Sequence, residues 1–223
     1  MEGVDYIKNI DGAERRFFSS EVRKVMPETE PTVEKDNLPN IEGYAAKFNS
    51  TTVIGRYWQF EEEILPGAFD DVLNDDVRCL YNHDPNYVLA RSKAGKGTLT
   101  LSVDGVGLKY AYKTPNRGFA IDLADAIDEG DVSESSFSFL VAEEIWIYGD
   151  ESKGILDKRQ IVKFSRLFDV APVTFPAYPD TEVAQRCSTA YKEKNNITER
   201  TAQDENKGLS TFEAQISINK NYL

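Results

Sequence analysis

The stretch "SESSFSFLVAEEIWI", residues 133–147, carries the strongest strand signal in the chain. Successive side chains of a strand point to opposite faces, so Phe137 and Phe139 share one face while Ser136 and Ser138 share the other. The aromatic face needs a core to pack on. The other face presents hydroxyls side by side, either as the wet surface of a half-buried strand or as reactive groups.

Working outward, short apolar or alternating runs recur between Gly, Pro, Asn and Asp: "IEGYAAKF" (41–48), "RYWQFEEEIL" (56–65), "VRCLYN" (77–82), "GTLTLSV" (97–103) and "GLKYAYK" (107–113). Each has the length and composition of a strand. "SVDGVGLKY" reads as a hairpin, because Asp104-Gly105 tolerates the positive φ of a tight turn. "RRFFSSEVRKV" (15–25) has the mixture expected of an edge strand, and "QIVKFSRLFDVAPVTFPAYPDT" (160–181) is a strand running into a proline-rich exit. Many short strands at this spacing point to a barrel or a sandwich.

Helical periodicity appears twice. In "PGAFDDVLN" (66–74) Pro66 suits a first helical position and Phe69, Val72 and Leu73 fall on one face. In "NRGFAIDLADAIDEG" (116–130) Phe119, Ala120, Leu123, Ala124 and Ile127 recur at three and four, opposite an acidic face that serves solubility, and Gly130 is the stop. The fold class expected is therefore mainly β with flanking helices, α+β. "MPETEPTVEKDNLPN" (26–40) suits a surface loop, residues 1–14 a flexible N-terminus, and residues 188–223 a polar C-terminal tail.

Composition removes several function classes. The formal net charge of −12 repels phosphate backbones and anionic bilayer surfaces, so neither nucleic acid nor a membrane is expected as a partner. Cys79 and Cys187 form no CxxC pair, and one histidine does not complete a zinc set, so no structural metal and no cofactor is expected. No apolar stretch reaches the roughly 20 residues needed to span a bilayer, and the N-terminus has no signal-peptide pattern. A soluble, cytoplasmic protein with reduced thiols is the expectation.

The chemistry turns on His83, the single histidine, which lies in "CLYNHDPNY" (79–87). Asn, Asp and Pro all favour turns, so His83 reads either as a turn residue or as the base of an active site. A serine hydroxyl is a weak nucleophile until a base removes its proton, and imidazole, with an ordinary pKa of about 6.5, does this near neutrality. A carboxylate commonly orients the imidazole. Ser135, Ser136 and Ser138, His83 and 38 acidic residues supply all three types without pairing them. The run "EEE" (61–63) reads as solvated, and no carboxylate pair stands out as a glycosidase would require. No G-x-S-x-G elbow of the ester-hydrolase kind is present.

The order of motifs narrows this. "IEGYAAKFNS", "EEILPGAFDDVL", "VRCLYNHDPNYVLARS", "GTLTLSVDGVGLKYAYKTP", "SESSFSF" and "LFDVAPVTFPAYPDTEV", in that succession, resemble the prohead (capsid maturation) serine proteases of tailed bacteriophages, the HK97-type family. The N-terminal "ERRFFSSEVRKV" resembles that family's first strand, and the resemblance covers about residues 15–187. It implies a closed or partly open β-barrel of the herpesvirus assembly protease type, with residues 15–187 as protease domain and 188–223 as a scaffold-like or self-cleaved tail. It further implies an endopeptidase that cuts scaffolding and capsid-protein segments, the delta-domain among them, inside an immature prohead in the host cytoplasm. Dimerisation regulates the viral relatives, so a homodimer is implied.

Carried over by motif, His83 is the general base, Ser136 the nucleophile and Asp169 the third member, where the family more often has glutamate. Asp84 is a rival for the third role. Ser138 stands where the family often has glycine and is a second candidate nucleophile on the same strand face. Backbone amides near Ser136, or near Arg166, are candidates for the oxyanion site. The rival class is a non-catalytic assembly or scaffolding protein built on a protease-like barrel.

Overall fold

The structure, a computed structural model, describes residues 10, 12–18, 22–25, 38–55, 59–175 and 217–218. Residues 26–37 of the expected loop, most of the N-terminal segment and nearly all of the C-terminal tail lie outside the described residues. Within them the strands are β1 (Glu14–Phe18), β2 (Arg23–Val25), β3 (Asn40–Lys47), β4 (Thr52–Ile54), β5 (Phe60–Ile64), β6 (Val77–Leu80), β7 (Val88–Lys93), β8 (Lys96–Gly97), β9 (Leu99–Val103), β10 (Gly107–Lys113), β11 (Glu134–Ile147), β12 (Asp157–Val173) and β13 (Ser217–Ile218). One α-helix, α1 (Gly118–Asp128), follows β10.

Nine strands form one sheet along the path β1-β11-β12-β6-β7-β8, with β13 added to β11, β5 to β12 and β4 to β5; β2-β3-β10-β9 form a second sheet. Among the described residues no closed barrel is found. The two sheets and α1 share one core. Ile41, Leu108 and Tyr110 reach it from the small sheet, Phe137, Phe139, Phe164 and Leu167 from the large one, and Leu123 and Ile127 from the helix. Phe137 and Phe139 stack with ring centroids 4.7 Å apart, and Phe164 meets Phe139 edge-on at 4.8 Å. Burying side chains of this size contributes about 2–3 kcal/mol each, so the aromatic face of β11 is what holds that strand in place.

A polar contact ties the two sheets beside the serine strand. Tyr110 covers Gly43, its partner in the β3–β10 ladder, where an added Cβ would stand 2.9 Å from the phenol oxygen. That oxygen lies 2.9 Å from Ser135 Oγ, and both groups are buried. Ser135 thus faces the core with Phe137, which turns Ser136 to the opposite face.

Three expectations are corrected. Residues 66–74 form successive tight turns rather than a helix: Ala68 N–H donates to the Leu65 carbonyl and Asp70 N–H to the Gly67 carbonyl, three residues apart, and Gly67 has φ +90°, outside the helical region. The apolar face was nonetheless read correctly, since Phe69 and Val72 are in the core. The β9–β10 hairpin exists, but Asp104 and Gly105 do not adopt positive φ. Instead Asp104 Oδ1 accepts the amides of Val106 at 2.8 Å and Gly107 at 3.1 Å, an Asx turn. Finally, "RRFFSSEVRKV" is two strands in different sheets, β1 on β11 and β2 on β3.

Candidate active site

Three neighbouring strands meet at the site. β12 runs antiparallel to β11, with Ser138 opposite Asp169 and Ser136 opposite Ala171. On its other edge β12 runs parallel to β6, with Asp169 opposite Arg78 and Val170 opposite Cys79. Because β6 ends at Leu80, a turn over Tyr81–His83 brings the histidine back beside Asp169.

That turn is held by more than its own backbone. Asn82 has φ +54° and His83 φ +59°, the left-handed region in which Asn and His are enriched among non-glycine residues. Asn82 Oδ1 accepts the Thr174 amide at 2.9 Å, Asn82 Nδ2 donates to Thr174 Oγ1 at 3.1 Å, and the Tyr81 phenol lies 2.9 Å from the same Oγ1. Two residues that favour the region are therefore clamped to the end of β12, and the imidazole is aimed into the sheet face.

The imidazole sits between an acid and a hydroxyl. His83 Nδ1 is 2.5 Å from Asp169 Oδ1 and Nε2 is 2.5 Å from Ser136 Oγ. All three side chains are buried, and Ser136 has no exposed surface. The Ser136 hydroxyl also donates to the Arg16 carbonyl of β1 at 2.9 Å. The alternation read for β11 holds, with Phe137 and Phe139 in the core and Ser136 and Ser138 on the other face, but the wet-surface reading of that face is overturned. Both serines are sealed beneath β1 and the histidine turn.

Ser138 has a different place. Its Oγ donates to Asp169 Oδ1 at 3.3 Å, lies 3.4 Å from His83 Nδ1 and accepts from Arg15 Nε at 3.1 Å. Asp84, the rival carboxylate, turns to its own loop and accepts the amide of Asn86 at 2.8 Å and its side-chain nitrogen at 2.9 Å. Arg166 stands opposite Leu140, four residues along β11 from Ser136, and its guanidinium lies over Phe168, so its amide is not brought beside the serine. Cys79 is buried between these strands, and burial, helped by the negative Asp169, pushes its thiol well above the ordinary range. It is no rival nucleophile at neutral pH.

Sequence reasoning missed a buried ionic cluster on the opposite face of β1 and β11. Arg16 of β1 pairs with Glu62 of β5 and Glu14 of β1. Arg159 of β12 pairs with Glu14 at 2.8 Å, Glu62 at 2.9 Å and Glu144 of β11 at 2.6 Å. Glu62 belongs to the "EEE" run read as solvated, yet it is buried. The signal that could have found it is period-two alternation, because Phe60, Glu62 and Ile64 share the inward face of β5.

Among the described residues, no group of acidic, histidine and cysteine side chains could hold a metal ion, and no helix is long and apolar enough to cross a membrane. The family model described as caudovirus prohead serine protease matches residues 26–196. That span is most of the chain, and the chain belongs to this family. No curated protein and no solved structure matches it.

Proposed function

We propose that this member of the prohead serine protease family is a maturation endopeptidase. It acts inside the immature phage head, in the host cell, on capsid-protein and scaffolding segments. Residues 15–187 form its protease unit, a partly open barrel of two sheets about one core, and residues 188–223 a polar tail that is either scaffold-like or removed by self-cleavage. The observation that carries the catalytic assignment is the continuous line of contacts from Asp169 through His83 to Ser136.

The mechanism is acyl transfer. Asp169 accepts a hydrogen bond from His83 Nδ1–H and so holds the tautomer in which Nε2 is unprotonated and faces Ser136 Oγ. As Oγ attacks the scissile carbonyl carbon, Nε2 takes its proton, and Asp169 stabilises the imidazolium that forms. His83 then gives that proton to the leaving amine as the carbon–nitrogen bond breaks. Water, deprotonated by the same nitrogen, hydrolyses the ester. Preorganised donors for the oxyanion contribute on the order of 3 kcal/mol each in such sites.

The complete burial of Ser136 favours a second reading, in which the site is closed for good and the chain is a non-catalytic assembly protein. A fluorophosphonate, which esterifies only an activated serine, separates the two. Labelling of Ser136 in the native chain and its loss in His83→Ala support the peptidase. An unlabelled chain, which also leaves a co-expressed capsid protein and its own tail intact by mass spectrometry, supports the assembly protein.

A further inference from the structure

Besides His83, Ser136 Oγ meets backbone: the Arg16 carbonyl accepts its proton at 2.9 Å. A serine hydroxyl has one proton, so a proton given to Arg16 O is not the one passed to Nε2. β1 lies antiparallel on β11 with Arg16 opposite Phe137 and Phe17 opposite Ser136. This is how an extended peptide adds to a sheet edge. β1 terminates its side of the sheet and lies outside residues 26–196, the span matched by the family model. Its departure would bare the edge of β11 at Ser136 and leave the β11–β12–β6 ladder whole.

We propose that β1 is an internal occupant of the substrate groove, and that the substrate is an extended polypeptide replacing it on β11. That polypeptide carries an arginine whose carbonyl meets Ser136 and a glutamate two residues before it. The inference rests on the reading of Ser136, His83 and Asp169 as a hydrolytic triad. Alternation sends the side chains of Glu14 and Arg16 to the face opposite Ser136, into a pocket whose walls belong to other strands. There Glu62 of β5 takes the Arg16 guanidinium, with Nη2 to Oε2 at 2.8 Å, and Arg159 of β12 takes both oxygens of Glu14 at 2.8 Å.

Glu62 and Arg159 are buried with β1 in place, and a chain that replaces β1 buries them again; a buried ion left unpaired is strongly disfavoured. The pocket therefore selects a cation at the Arg16 position and an anion at the Glu14 position. Once such a chain replaces β1, Ser136 Oγ bonds to the arginyl carbonyl carbon and the bond to the following nitrogen breaks, with His83 protonating that nitrogen. Water then releases the arginyl carboxylate and restores the hydroxyl.

The test uses the full chain and the synthetic peptide GAERRFFSS, residues 12–20, beside the same peptide carrying Arg16→Glu. Mass spectrometry should find cleavage between the second arginine and the first phenylalanine, about ten-fold or more faster than for the Arg16→Glu peptide, as expected when a buried ion pair is turned into a like-charge contact. A fluorophosphonate should label Ser136 of an Arg16→Ala chain about ten-fold faster than that of the unaltered chain, because the occupant is loosened. Equal cleavage of the two peptides overturns the inference. So does a chain that labels at Ser136 and cuts neither peptide; the protease reading then survives alone. A chain that labels in no form sinks the triad reading and this inference with it. Should Arg16→Ala fail to fold, the peptide comparison on the unaltered chain decides.

Discussion

Ser138 meets His83 at the wrong nitrogen: its Oγ lies 3.4 Å from Nδ1, the atom turned to Asp169, whereas Ser136 Oγ lies 2.5 Å from Nε2. Two serines on one face of one strand thus meet different nitrogens of a single ring. Ser136→Ala should abolish fluorophosphonate labelling and lower cleavage of a co-expressed capsid protein by about 10⁴-fold or more. Ser138→Ala should stay within about ten-fold of the parent, since it removes long contacts to a carboxylate and a ring nitrogen that still engage each other, and one acceptor of the half-buried Arg15. The reverse pattern would make Ser138 the nucleophile.

Asp169 is the next member of the line. Replacing its carboxylate by an amide keeps the shape and stabilises the wrong imidazole tautomer, because an amide nitrogen beside Nδ1 asks that atom to accept. Asp169→Asn should lower kcat/KM by about 10⁴-fold. Its thermal midpoint should remain close to the parent's, which separates a tautomer effect from unfolding. A drop of less than about ten-fold would point to another orienting group.

The histidine turn offers a test of positioning. Asn82 supplies both a tolerated left-handed residue and the two bonds to Thr174. Asn82→Ala loses both, with a backbone cost of about 1–2 kcal/mol, and a shifted imidazole should lower kcat by about 10–100-fold. Asn82→Gly accepts the backbone but not the clamp. It should recover more stability than activity, measured by a thermal melt beside initial rates; equal recovery of both would reduce the clamp to a stability element.

These features were unequally legible in the sequence. The alternation of β11 could be read directly because Ser136, Phe137, Ser138 and Phe139 obey a local rule, and α1 was read from its own three-and-four spacing. The burial of Ser136 was not legible, because the strand that covers it, β1, comes from 120 residues away. Glu62 looked solvated because its partner Arg159 is 97 residues distant, and the tight turns at 66–74 took the periodicity of a helix since Phe69 and Val72 pack on the core either way. The hairpin at Asp104 was read by the right residue for the wrong reason, a carboxylate accepting amides rather than a left-handed backbone. Local rules are enough for the elements, whereas only the resemblance in the order of motifs joins His83, Ser136 and Asp169 in one site.

The ionic cluster makes a prediction about acid. Burial, the largest single influence on Glu14, pushes its carboxyl up, but the guanidinium groups of Arg159 and Arg16 together outweigh it and hold the pKa down at about 2, against an ordinary 4.5. A folded-state value below the unfolded one means that the unfolded chain binds the proton first. The stability from Glu14 is therefore complete above the ordinary value and is lost as pH falls from there through about 2. Glu14→Gln leaves Arg16 and Arg159 short of a buried anion and should cost about 3–5 kcal/mol near neutrality. Urea unfolding of parent and variant across this range should show the gap steady above the ordinary carboxylate value and closing below it. Two curves that stay parallel down to the acid end would mean that Glu14 is not held ionised by its arginines.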